Sequence, residues 1–227
     1  MRRRAGNQRA LPLGPHRRLQ GAERVKPRPV SDTWPGWFIA LHWVIALMLS
    51  VMIGVGIVMV AVEETAAATG DFTIKVFGFP MYQAYQLHKS VGLTLFWLIV
   101  LRLGLRLTLG LTAPSHDHSR LERFVARTVQ IVLYALMLSM PLTGWLMASS
   151  SPLGLPTMWF GLVNVPHPLG PDAAREEILA TLHALGGYAL LAIAGLHAAA
   201  ALKHHLVDRD GTLTAMLPPL RHLEKRQ

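Results

Sequence analysis

Cysteine is absent from all 227 residues. That excludes disulfides, cysteine-held iron–sulfur clusters, thiolate-ligated haem and covalent c-type haem attachment. Charge is also scarce: Asp, Glu, Lys and Arg make up 15% of the chain, against about a quarter of an average soluble domain. Acidic residues are the rarer sign, 13 against 22 basic, leaving a net charge of +9. A basic balance can mark nucleic-acid binding. Here, however, Lys and Arg cluster between apolar stretches instead of covering a folded surface, so nucleic acid is not an expected partner.

What fills the space left by charge is apolar: 52% of residues are hydrophobic and the mean hydropathy is positive. Four stretches are long enough to cross a bilayer as helices. Span one runs from about Trp37 to Val62 and stops at Glu63 and Glu64. Span two follows an aromatic approach (Phe77, Phe79, Tyr82, Tyr85) of the kind found at membrane interfaces, and runs from about Gln86 to Leu109. Near its end Arg102 and Arg106 stand one turn apart, placed to snorkel to the head groups. Span three covers about Thr128 to Ser149. A Pro/Gly-rich loop, Ser150 to Glu177, leads to span four, Ile178 to His205, which has no Asp, Glu, Lys or Arg before Lys203. In that loop Trp159 and Phe160 are expected to dip into the interface. Residues 1–34 hold nine Lys/Arg and little periodicity, and read as a disordered basic cytoplasmic tail. A secretory signal is not expected, because the apolar segment after the tail is too long. Residues 35–218 then form an all-α, four-transmembrane-helix bundle, and 219–227 a cytoplasmic C-terminal tail.

Orientation follows from the same basic residues. The segment between spans two and three carries five (Arg102, Arg106, Arg120, Arg123, Arg127), and the C-terminal side another five (Lys203, Arg209, Arg221, Lys225, Arg226). The other two loops hold only Lys75 with Lys89, and Arg175. The positive-inside rule places both termini and the middle loop in the cytoplasm.

Histidines are the one polar type that recurs inside the spans. His183 and His197 lie 14 residues apart in span four. Fourteen steps of about 100° return to nearly the same face, roughly 21 Å further along the helix. His42 opens span one and His88 opens span two, from opposite sides. By depth, His42 pairs with His197 near the inner side and His88 with His183 near the outer side. A single intramembrane histidine is often just bonded to a neighbouring helix, whereas two level pairs point to function. Zinc or copper would want three or four converging ligands, and no span supplies an acid. Two imidazoles on opposite sides of a planar macrocycle fit better, and the economical reading is two bis-histidine haem b groups. Gly92, Gly186, Gly187 and Gly195 near these histidines allow close approach of a macrocycle or simply of another helix. Met48 and Met52 offer a His/Met alternative that complete histidine pairs make unnecessary.

The residues Leu41-His42-Trp43, Gln86-Leu87-His88-Lys89-Ser90, Leu101 to Leu107, Tyr134 and Pro141-Leu142-Thr143-Gly144 resemble those of the bacterial cytochrome b561 family. So do Leu182-His183, Gly195 to His205, Asp210-Gly211-Thr212-Leu213 and Met216-Leu217-Pro218. The resemblance spans about Thr33 to Pro218. It implies a bacterial inner-membrane di-haem b protein, with His42, His88, His183 and His197 as iron ligands, passing electrons between an outer donor and a quinone such as ubiquinone. Superoxide:ubiquinone oxidoreductase activity within the family makes superoxide a candidate donor. His204, on the face of His197, and Arg127, with Lys203 and His205 nearby, are then candidate quinone contacts. Lys89 is a candidate for a haem propionate or an incoming anion. The outer loops argue against simple steering of an anion, since three basic residues face six acidic ones, a net of −3.

Two other classes compete with a self-contained oxidoreductase. A membrane-anchor cytochrome b subunit of a larger dehydrogenase or hydrogenase would co-purify with a partner docked on the Ser150–Glu177 loop. A transporter or proton channel would be colourless, and the spans lack the acids and broken helices such proteins use. Topology is directly testable on this cysteine-free chain. A single cysteine at Thr73 should react with an impermeant maleimide applied to spheroplasts, and one at Ser119 only after the membrane is opened. The reverse pattern would invert the orientation.

Overall fold

The computed structural model describes residues 34–110 and 119–217. The expected N-terminal tail, apart from Trp34, and the expected tail 219–227 lie outside the described residues. Four helices dominate: α1 (Gly36–Thr69), α2 (Met81–Thr108), α3 (Arg120–Ser150) and α4 (Ala173–Lys203), the last extended by a π-helical turn, His204–Asp208. All four are long and apolar enough to cross a membrane. Each closes its own backbone hydrogen bonds, as a bilayer demands. Most of their apolar surface faces outward: Leu47 is 68% exposed and Leu107 72%. The protein is thus an all-α membrane bundle.

Helix ends reach past the apolar runs for local reasons. Glu63 and Glu64 stop span one but not α1, which runs on to Thr69 and closes on Gly70 in the left-handed region. Glutamate is a good helix former, and Glu63 accepts a hydrogen bond from Tyr85 of α2. Helix α3 begins at Arg120, eight residues before its apolar run, because Ser119 and Glu122 form a reciprocal capping box. Asp172 caps α4 by accepting from the Arg175 amide at 3.0 Å. Pro141 sits inside α3 without ending it.

Two small antiparallel hairpins fill the loops that the lysine and arginine count puts outside. The first pairs β1 (Lys75–Val76) with β2 (Phe79–Pro80), the second β3 (Thr157–Trp159) with β4 (Val163–Val165). Each turns on a Phe-Gly pair with positive φ at both residues, Phe77-Gly78 and Phe160-Gly161, the backbone twist a tight hairpin favours. The Ser150–Glu177 loop is therefore partly ordered as a sheet. Trp159 is half-buried against α2, whereas Phe160 is 51% exposed.

The bundle interior has an apolar plug of Ile45, Leu95 and Ile99, surrounded by residues that include Met48, Met52, Tyr134 and Met137. Met48 and Met52 are thus packing residues. Helix α4 packs chiefly on α3, α1 on α2, and α2 on α3, while α1 and α4 touch only lightly. The α3–α4 seam is the tightest: a Cβ added to Gly186 would lie 2.7 Å from Met140 Sδ, and one on Gly187 3.7 Å from its Cε. At Gly195 no protein atom lies within 4 Å, so that glycine does not serve helix packing. Gly186→Val should overpack the seam and cost about 1–3 kcal/mol, read as a lower unfolding temperature in detergent. Adding Met140→Ala should restore part of the loss.

Candidate functional site

The rings of His88 and His183 meet inside the bundle, centroids 6.4 Å apart and inclined at 72°. Both side chains are half-buried. Close approach is possible because glycines face them. A Cβ at Gly144 would stand 3.1 Å from His183 Cε1, and one at Gly56 3.6 Å from His88 Cε1. On the far side of the His183 ring, Nδ1 lies 3.1 Å from Thr143 Oγ1. His88 Nδ1 is buried with no hydrogen-bond partner, a costly state for a polar atom in an apolar interior.

His42 and His197 belong to the other end of the bundle, and Arg102 lies near both. Its Nη2 is 3.4 Å from His42 Nδ1, its guanidinium carbon stands 4.1 Å over the Phe38 ring, and it is within electrostatic range of His197. Its Nη1 is buried and unpartnered. Arg102 departs from the expected snorkelling and turns into the bundle, while Arg106 donates to Gln130 Oε1 at 3.0 Å. Sequence reasoning assigned Arg102 no role at the site. The available signal was its position, four turns of α2 beyond His88 and so level with His42.

Lys89 is half-buried beside His88. It has no described partner but lies close to His167, whose Nε2 is 2.9 Å from Thr157 Oγ1. Burial, then the Lys89 charge, hold His167 below the ordinary histidine range, which keeps it neutral near pH 7. His167 is a second residue that the sequence reading left out. The β3–β4 hairpin that carries Thr157 is clamped to α2 by three polar side chains. Gln86 donates to Pro156 O at 2.7 Å and accepts from Met158 N at 3.1 Å. Ser90 bonds both Met158 O and Phe160 N, and Trp159 Nε1 donates to Thr94 Oγ1 at 3.1 Å.

At the opposite end, the π turn gathers acids around His204. Its Nδ1 is 2.9 Å from both Asp208 Oδ2 and Asp210 Oδ2, and Lys203 Nζ reaches the Asp208 oxygen at 2.7 Å. Arg127 is exposed on α3 and makes no described polar contact with His204. Trp43, next to His42, donates to Met216 O at 2.8 Å, drawing the C-terminal segment across this end.

Residues 33–219 match the prokaryotic cytochrome b561 family. The chain belongs to that family. It is therefore a membrane electron-transfer cytochrome, of a family that binds haem b. Among its relatives, the Escherichia coli K12 protein "Cytochrome b561 homolog 2" is 29% identical over 178 residues, 78% of this chain and 87% of that protein. The Yersinia pestis "Probable superoxide oxidase CybB" is 25% identical over 185 residues, 81% of this chain and 94% of that one. The match takes in all four helices, both hairpins and the π turn.

The clamp on the outer hairpin can be tested without any cofactor assay. Gln86→Leu removes both of its bonds to the hairpin and strands the Met158 amide. A loss of about 1–3 kcal/mol is expected, seen as about tenfold or faster hydrogen exchange in residues 157–165 with α3 unchanged.

Proposed function

We propose that this protein carries electrons across the membrane between a donor at the outer face and the quinone pool at the inner face, on two haem b groups. His88 and His183 hold the outer group, and His42 and His197 the inner one. The observation that carries the reading is the 6.4 Å separation of the His88 and His183 rings. Two imidazoles bound to one metal need about 2 Å per metal–nitrogen bond and about 1.1 Å from nitrogen to ring centre on each side, roughly 6.3 Å in all. The unpartnered His88 Nδ1 and the glycines facing both rings also suit a large planar group.

The inner pair fits on one condition. An arginine only donates, so Arg102 makes His42 Nδ1 an acceptor. Ligation through the other ring nitrogen needs Nδ1 to carry the proton, so Arg102 must pass to a different acceptor. A haem propionate is such an acceptor, and the unpartnered, buried Nη1 favours a carboxylate there. Lys89 plays the corresponding part at the outer group or draws in an anionic donor.

When bound, haem b supplies one-electron exchange between ferric and ferrous iron. The chain supplies the rest. Its imidazole pairs would hold the iron of each group, the apolar plug around Ile45 and Leu95 would keep water from the space between the two levels, and the hydrogen bond at His183 would tune the potential. Superoxide is the proposed donor, supported by the name of the Yersinia pestis relative and by Lys89 beside His88. Two superoxide ions would yield two dioxygen molecules, and one quinone would take the two electrons with two protons from the inner side. His204, held by Asp208 and Asp210, would bond a quinone carbonyl through Nε2, and Arg127 is the second candidate contact. The positive-inside count supports cytoplasmic termini.

Reduced-minus-oxidised spectra of the protein in detergent should show two b-type components in the wild type. His88→Ala should lose one and His197→Ala the other. Loss of the same component in both variants, or of neither, would overturn the pairing.

A further inference from the structure

We infer that Thr143 is a positioning residue for His183, fixing which ring nitrogen carries the proton and strengthening the donor power of the other. This rests on the reading of His183 as an iron ligand. The geometry is a relay of three groups. Thr143 Oγ1 lies 2.9 Å from the Met140 carbonyl oxygen, which can only accept. A hydroxyl has one proton, so that proton points at Met140 and a lone pair faces His183 Nδ1, 3.1 Å away. Nδ1 must then be the protonated nitrogen, and the Met140 carbonyl is within bonding reach of the same ring. The lone pair is left on Nε2.

Gly144 lets this happen. With the Cβ position only 3.1 Å from Cε1 and 3.4 Å from Nδ1, the ring lies directly against the α3 backbone, and any side chain at 144 would push it off the Thr143 hydroxyl. Met140 is held in turn by Gly186 and Gly187, one turn beyond His183 on α4. The two helices thus interlock, each presenting glycine to the other's functional side chain. Nothing comparable supports His88, whose Nδ1 has no partner. The two rings of the outer pair are chemically unequal, and a change at Thr143 should touch one haem and leave the other alone.

An N–H···O bond at Nδ1 gives the ring imidazolate character, which favours ferric iron and lowers the reduction potential. Thr143→Val keeps the shape and removes the hydroxyl acceptor, leaving the ring only the Met140 carbonyl, so the potential should rise. The expected shift is on the order of tenfold in the ferric–ferrous balance. A tenfold shift of the ferric–ferrous balance is a rise of about 59 mV for one electron.

The test is a spectroscopic redox titration of the purified haem-loaded protein, with the low-spin ferric resonance as a second readout. Thr143→Val should move one component upward and shift one resonance, while Thr143→Ser, which keeps the hydroxyl, should match the wild type. If Thr143→Val does not accumulate, Thr143→Ala is titrated in its place. Unchanged potentials in the hydroxyl-free variant, or a Thr143→Ser protein shifted as far as it, would overturn the inference and leave the ligand reading standing. His183→Ala run in parallel separates the two: retention of both haems there would overturn the ligand reading itself.

Discussion

The contact on which most of this structure depends is the meeting of the His88 and His183 rings in the bundle interior. An imidazole is too large to enter a helix–helix seam unless the opposing helix gives up a side chain. It does so at Gly144 and at Gly56, where an added Cβ would stand 3.1 and 3.6 Å from the rings. Placing α4 that close to α3 then requires small residues on α4 as well, and Met140 occupies the space above Gly186 and Gly187. The seam is therefore shaped by one polar pair. In a bilayer, where packing rather than hydrophobicity joins helices, such a fit decides which helices are neighbours.

The two ends of the bundle handle charge differently. At the His42 end an arginine has been drawn into the interior, resting on Phe38 and reaching His42. A buried guanidinium is expensive without an anion, and its unpartnered nitrogen marks the place where one would be most stabilising. At the His88 end the cation, Lys89, lies near His167, which is kept neutral by burial and by Lys89 itself. The net −3 of the outer loops is thus a poor guide to the potential close to His88, because charges at exposed loop tips are screened within about 10 Å.

The outer hairpins add a second kind of constraint. Gln86, Ser90 and Thr94 occupy one face of α2 at spacings of four, and each reaches the β3–β4 hairpin. The hairpin is consequently pinned at the depth of His88. Its apolar tip, with Leu162 at 85% exposure, is left facing outward.

Four spans, their approximate limits, the alternation of their direction and the depths of the histidines were legible in the chain by itself. Hydropathy, charge clustering and a 14-residue repeat all act along one dimension. The capping box at Ser119 was legible too, but the apolar window hid it and shortened α3. Which way Arg102 turns, which carboxylates claim His204 and which hydroxyl meets His183 are relations between residues 60, 4 to 6 and 40 positions apart. Even the nearest of these, at His204, hangs on a change from α to π geometry that no propensity announces. The tertiary structure decided them, because side-chain direction in a bundle is set by the gaps that neighbouring helices leave.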